Sequence, residues 1–250
     1  MTTAVFAKPE HMLYLVILGY FLIGTIAFAV IGRRIPPGKK AKHWAKYITY
    51  LLIIHLLFAG IYFGPALFHY LCILIAAAGY IELIKISIRR GRPLQPAQLI
   101  ASLLVYTLLA WAFLRFSRMD PSWLYFTFAV VTVFDAFSQI SGQLVGGIKL
   151  IPSVSPQKTV SGLIGGGMLA LITALAFRGF IGVSWLPALL IAAIIVIFAL
   201  SGDLMASLIK RIHGVKDFGS TLPGHGGFLD RFDSLIAAGA ASYLIYTFIL

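Results

Sequence analysis

Acidic residues are scarce in this chain, with eight Asp and Glu against twenty Lys and Arg in 250 residues. Charged residues of both signs make up 11% of the sequence and apolar residues 60%. Those shares exclude an ordinary soluble domain, in which about half the residues are apolar and about a quarter charged. The single cysteine, Cys72, excludes an intrachain disulfide and a thiolate metal cluster, and its apolar neighbours make it a lipid-facing or core residue. The N-terminus lacks the basic stretch and small-residue cleavage site of a secretory signal, so the first apolar segment is expected to be retained. No internal repeat, low-complexity tract or long linker divides the sequence. It reads as one integral membrane domain, 1–250, with N-terminal helices over 1–120 and a chemistry-bearing half over 122–250.

What the sequence has is long apolar runs. A spanning helix takes ~20 mainly apolar residues, and segments at roughly 12–31, 46–63, 65–86, 98–116, 122–142, 160–178, 184–208 and 233–250 meet that need. The expected fold is an all-α polytopic membrane protein of about eight transmembrane helices with cytoplasmic catalytic loops. Only Gly64 and Pro65 part the second segment from the third, a pair that favours a turn. With the N-terminus outside, the connections at 32–46, 85–92, 149–158 and 210–231 share the cytoplasmic side and carry most of the Lys and Arg. Lys8, Arg115, Arg118 and Arg178 alone fall on the other side, as the positive-inside rule requires. The net charge of +12 is thus explained by topology, and nucleic acid is not an expected partner. The 24 glycines are dispersed, as suits close helix packing among membrane lipids.

The few acids are unevenly placed. Asp135, Asp203, Asp217, Asp230 and Asp233 all lie in the second half. Asp135 and Asp203 fall inside apolar helices, where an ionisable group is costly and usually faces a polar cavity. Asp135 opens DAFSQISGQ, in which Ser138, Gln139 and Gly142 make one helical face small and polar. Asp203 shares its face with Ser207 at i+4 and Lys210 at i+7. Glu82, near the end of the third helix, has Lys85 and Arg89 close by on one face and is expected to form a local ion pair.

The connection KDFGSTLPGHGGFLDRFD holds hard-oxygen ligands in Asp217, Asp230 and Asp233, the type that binds Mg²⁺ together with substrate phosphates. Lys210, Arg211, Lys216 and Arg231 offer charge to phosphate oxygens, and Gly224, Gly226 and Gly227 allow backbone to approach an anion. His225 is a donor, a base or a loop residue. Neither a GxxxxGK[ST] loop nor a GxGxxG turn is present, and no Cys/His cluster has zinc spacing.

These residues resemble a known signature. Ser207, Lys210, Arg211, Lys216, Asp217, Pro223, His225, Gly226, Gly227, Asp230, Arg231 and Asp233 stand at the spacing of the motif of the CDP-diacylglycerol synthase (phosphatidate cytidylyltransferase) family, preceded by its Gly202-Asp203. A second block, KLIPSVSPQKTVSGLIGGG, is similar to that family's through Lys149, Pro152, Ser155, Pro156, Lys158, Thr159, Gly162, Gly165 and Gly166. It departs at Ser161, where the family has Glu, and at Gln143, where a basic residue is frequent. The resemblance covers roughly residues 130–235.

The resemblance implies transfer of CMP from CTP to phosphatidic acid in the bilayer, with release of pyrophosphate. It implies Mg²⁺ on Asp203 and Asp217, with Asp230, Asp233 and Asp135 behind them. Lys158, Lys210, Arg211, Lys216 and Arg231 would meet phosphates, and Ser155, Thr159 and Ser207 would donate hydrogen bonds to them. A CTP-dependent lipid kinase, which would release CDP, and a cytidylyltransferase with another lipid acceptor are the nearest alternatives. A transporter would also carry intramembrane acids, but no inverted repeat is visible in the hydropathy. The expected setting is a bacterial inner membrane with the active site facing the cytoplasm, and a homodimer is the expected assembly.

Overall fold

The computed structural model describes residues 9–33, 36–88, 96–219 and 226–249. Among the described residues eight α-helices follow one another: α1 (Pro9–Arg33), α2 (Pro37–Phe63), α3 (Pro65–Ile88), α4 (Pro96–Phe116), α5 (Pro121–Leu144), α6 (Val160–Phe177), α7 (Trp185–Ile212) and α8 (Leu229–Phe248). Six of them, α1 and α3 to α7, are long and apolar enough to cross a membrane. The apolar part of α2, Tyr47–Phe63, is shorter. α8 is not among the six, because Asp230, Arg231 and Asp233 stand in its first turns. Ser234, Ala237, Ala238, Gly239, Ala240, Ala241 and Ser242 are buried among other helices, so protein rather than lipid surrounds most of α8. The chain is an all-α polytopic integral membrane protein. Large apolar side chains such as Leu22, Ile26, Leu74, Leu104 and Ile172 are exposed around it, a surface that lipid tails satisfy.

The turn between α2 and α3 is as tight as the sequence requires. Gly64 has φ +145°, which a residue with a Cβ rarely adopts, and Pro65 starts the next helix with its ring at the first helical position. Cys72 is a core residue, fully buried.

The main packing layers are α5 on α6 and α7 on α8, with α4 closing over α8. Glycine sets both distances. A Cβ on Gly162 would lie 2.6 Å from the Ser138 carbonyl oxygen, and one on Gly166 would lie 2.7 Å from the Phe134 carbonyl oxygen. The small polar face of α5 is therefore the face that receives α6. On the other pair, a Cβ on Gly202 would lie 2.7 Å from the Asp233 carbonyl oxygen, so α7 touches α8 where both carry a carboxylate.

One element was not expected from the sequence. Between α5 and α6 the chain forms a short antiparallel hairpin, β1 (Lys149–Ile151) and β2 (Ser155–Thr159), with Lys149 opposite Thr159 and Ile151 opposite Ser155. It leaves α5 through Gly146 and Gly147, at φ +69° and +100°.

Candidate active site

The hairpin, the end of α7, the start of α8 and the end of α3 meet at one end of the bundle. Arg211 Nε donates to the Val154 carbonyl at 3.1 Å and its Nη1 to the Val215 carbonyl at 3.2 Å, pinning the hairpin turn to the segment after α7. His213 joins the Ile209 carbonyl through Nδ1 at 2.8 Å and Ser87 through Nε2 at 3.3 Å, so α7 is tied to α3 as well.

Three carboxylates from three helices gather there. Asp135 (α5), Asp203 (α7) and Asp233 (α8) lie close enough to act electrostatically on one another, and the charges of Lys158, Lys210 and Arg231 reach into the same cluster. Lys158 on β2 closes an ion pair of 2.5 Å with Asp203, both side chains remaining partly exposed. The i+4 stripe read in the sequence is present: Ser207 Oγ donates to Asp203 Oδ1 at 3.4 Å. The i+7 member turns elsewhere. Lys210 pairs with Asp230 in a buried contact and stands 5.2 Å from the centre of the Phe218 ring.

Asp230 is fully engaged within the protein. Besides Lys210 it accepts the Phe218 N–H at 2.9 Å and the Gly227 N–H at 2.8 Å. Asp217, Lys216, Arg211 and Arg231 are exposed. His225 lies outside the described residues. Gly226, at φ +85°, packs on Asp217: a Cβ there would come within 2.9 Å of the Asp217 Cβ. Gly227 packs on Glu82, whose Oε2 would be 2.6 Å from a Cβ at that position. The close approach expected of Gly226 and Gly227 is thus made to carboxylates of the chain itself, and Gly224 lies outside the described residues.

The second block shapes the hairpin neck. Thr159 is the N-cap of α6, its hydroxyl accepting the Gly162 N–H at 3.1 Å, as a helix start needs. Ser161 donates to the Gly146 carbonyl and lies 3.0 Å from Thr159 Oγ1. At the position where the motif has Glu, this chain closes the neck with a hydroxyl. Ser155 is half-buried on β2.

Two residues outside the motifs reach this region. Glu82, expected to form a local ion pair with Lys85 and Arg89, is buried and accepts the Phe228 N–H at 2.7 Å and the Leu229 N–H at 2.8 Å; Lys85 is exposed and Arg89 lies outside the described residues. The signal that could have found it was the one applied to Asp135 and Asp203, an acid inside an apolar helix. Tyr50 on α2 donates to the Thr132 carbonyl at 3.3 Å and lies within electrostatic reach of Asp135 and Arg231; no motif marks it.

The donor set bears on a divalent cation. Among the described residues no group of three or more His, Cys, Asp or Glu is arranged to hold a metal ion. The cluster is carboxylate without thiolate, which matches magnesium, an ion usually bound through one or two carboxylates with waters and substrate phosphates as its other ligands.

The sequence has recognisable relatives. Residues 97–249 match the model of the Cytidylyltransferase family. The phosphatidate cytidylyltransferase of Staphylococcus saprophyticus is 46% identical over 114 residues, 44% of either chain. That of Brucella abortus is 44% identical over 122 residues, 48% of this chain and 44% of its own. The alignment spans less than half the length of these curated relatives.

Proposed function

Because the chain belongs to the cytidylyltransferase family, we propose that it transfers CMP from CTP to phosphatidic acid, forming CDP-diacylglycerol and pyrophosphate. The observation that carries this reading is the cluster of Asp135, Asp203 and Asp233 with Lys158 at the rim of an apolar bundle. It combines carboxylate and ammonium groups in a chain whose exposed apolar side chains suit the bilayer in which a lipid acceptor resides. The relatives named for phosphatidate support the same acceptor.

In this reading a phosphate oxygen of the lipid attacks the α-phosphorus of CTP, the bond from that phosphorus to the bridging oxygen breaks, and pyrophosphate leaves. The nucleophile is already anionic, so no general base has to generate it. The site's work is to hold two anions in line and offset their repulsion. Lys158 is poised for this from the hairpin, and Arg211, Lys216 and Arg231 are further exposed cations of the signature segment. Ser155, Thr159 and Ser207 supply hydroxyls nearby, Thr159 also fixing the start of α6. Asp203 and Asp217 are the carboxylates assigned to magnesium, with Asp233 and Asp135 behind them; when bound, the ion would neutralise triphosphate oxygens as a Lewis acid. Asp230 and Lys210 are assigned a positioning role, since each already satisfies the other. The active end is assigned to the cytoplasmic side of a bacterial inner membrane, and the assembly to a homodimer.

The test is mass-spectrometric analysis of lipids after the purified protein is incubated with CTP, Mg²⁺ and either phosphatidic acid or diacylglycerol. CDP-diacylglycerol formed from phosphatidic acid supports the proposal. Phosphatidic acid formed from diacylglycerol would instead identify a CTP-dependent kinase.

A further inference from the structure

Glu82 stands on α3, outside residues 97–249 that match the family, yet its carboxylate is built into the signature segment. It is 5% exposed, and its two oxygens are divided between two amides at the start of α8, Phe228 on Oε1 and Leu229 on Oε2. These are amides that a helix leaves without intrahelical partners, and Phe228 at the N-cap supplies no side-chain bond to them. Asp230 takes the neighbouring Gly227 N–H. Two carboxylates, one on α8 itself and one from α3, thereby satisfy three successive amides at the loop-to-helix junction. A negative group also suits the positive end of the helix dipole.

We propose that Glu82 is a positioning residue for the reaction site: it fixes the junction from which Asp230, Arg231 and Asp233 project, and so sets where α8 presents them to Asp203 and Lys158. The catalytic part of this statement rests on the function proposed above. Its effect passes through the backbone of residues 227–229. Gly227 is part of the same device, because a Cβ there would meet the Glu82 carboxylate at 2.6 Å. Displacing a reacting group by about 1 Å can cost on the order of 100-fold in rate.

The test uses the full chain in lipid nanodiscs, comparing Glu82→Ala, Glu82→Gln and Lys85→Ala with the unaltered protein by amide hydrogen exchange and by cytidylyl-transfer kinetics. Glu82→Ala is expected to speed exchange in the peptide covering 226–232 at least ~10-fold, while peptides of α5 and α6 keep their protection. Its kcat should fall ~10- to 100-fold with the KM for CTP within about threefold. Glu82→Gln preserves the volume and one acceptor oxygen; it should recover part of both effects and serves if the alanine variant does not fold. Lys85→Ala should change neither. Unaltered exchange at 226–232 in both Glu82 variants, or faster exchange there with unchanged kcat, overturns the proposal. If the unaltered protein transfers no CMP, it is the proposed reaction that fails, and the exchange comparison still decides whether Glu82 holds the junction.

Discussion

Two lysines of the site, in different surroundings, are expected to fail in different ways. Lys210 and Asp230 have side chains only 10% and 1% exposed, and removing one partner of such a pair strands the other. Lys210→Met should therefore cost about 3–5 kcal/mol of stability, measured as a lowered unfolding midpoint in detergent. Lys158 and Asp203 are 20% and 33% exposed, a range in which an ion pair contributes about 0–1 kcal/mol. Lys158→Ala should leave the midpoint nearly unchanged and lower kcat/KM for CTP at least ~10-fold, an outcome checked by steady-state kinetics on the same preparation. Ser207 beside Asp203 was legible from helical spacing alone. The exchange of lysine partners was not, because it depends on how α7 lies on α8 and on a hairpin that hydropathy cannot register. The reach of Glu82 to α8 was not legible for a related reason: helical spacing points to neighbours a turn away, whereas two of its partners are backbone amides 146 and 147 residues away in sequence.

Helix against helix, the distances are fixed by glycines. Gly202→Ala would press a methyl group onto the Asp233 carbonyl and onto Ala237. Overpacking of this kind costs about 1–3 kcal/mol, and here it would also move Asp203 relative to Asp233. The expected result is a lowered unfolding midpoint together with a fall in kcat of ~10-fold or more. An alanine at Gly167, where a Cβ meets nothing within 4 Å, is the matched control and should behave as the unaltered protein. The count of eight spans is not confirmed, but six helices, α1 and α3 to α7, were readable from apolar length, as was the break at Gly64. The hairpin was not, since three- and five-residue strands leave little alternation to see. The start of α8 was placed at 233, yet the helix begins at Leu229: Glu82 and Asp230 satisfy amides there that hydropathy would leave to a loop.

At the scale of the whole molecule, the proposed cytoplasmic face of the site follows from the Lys and Arg bias of the connections read in the sequence. Cys72 is fully buried, so a new cysteine can be followed without background from the native one. In intact bacterial cells a Ser153→Cys variant should resist a membrane-impermeant maleimide until the cells are opened, whereas Ser184→Cys should react at once; the reverse pattern would invert the topology. The first half of the chain supplies more than lipid-facing surface, since Glu82 and Tyr50 both reach the second half. Its contribution was invisible to motif reading because each residue stands alone in its helix. The central claim is the identity of the transferred group. It is tested most directly by supplying the purified protein with CTP labelled at either the α- or the γ-phosphate, together with Mg²⁺ and phosphatidic acid. The account predicts that α-label enters the lipid phase while γ-label leaves in pyrophosphate, in equal amounts. Lipid that gains no α-label, with CTP left intact or releasing only CDP, would contradict it.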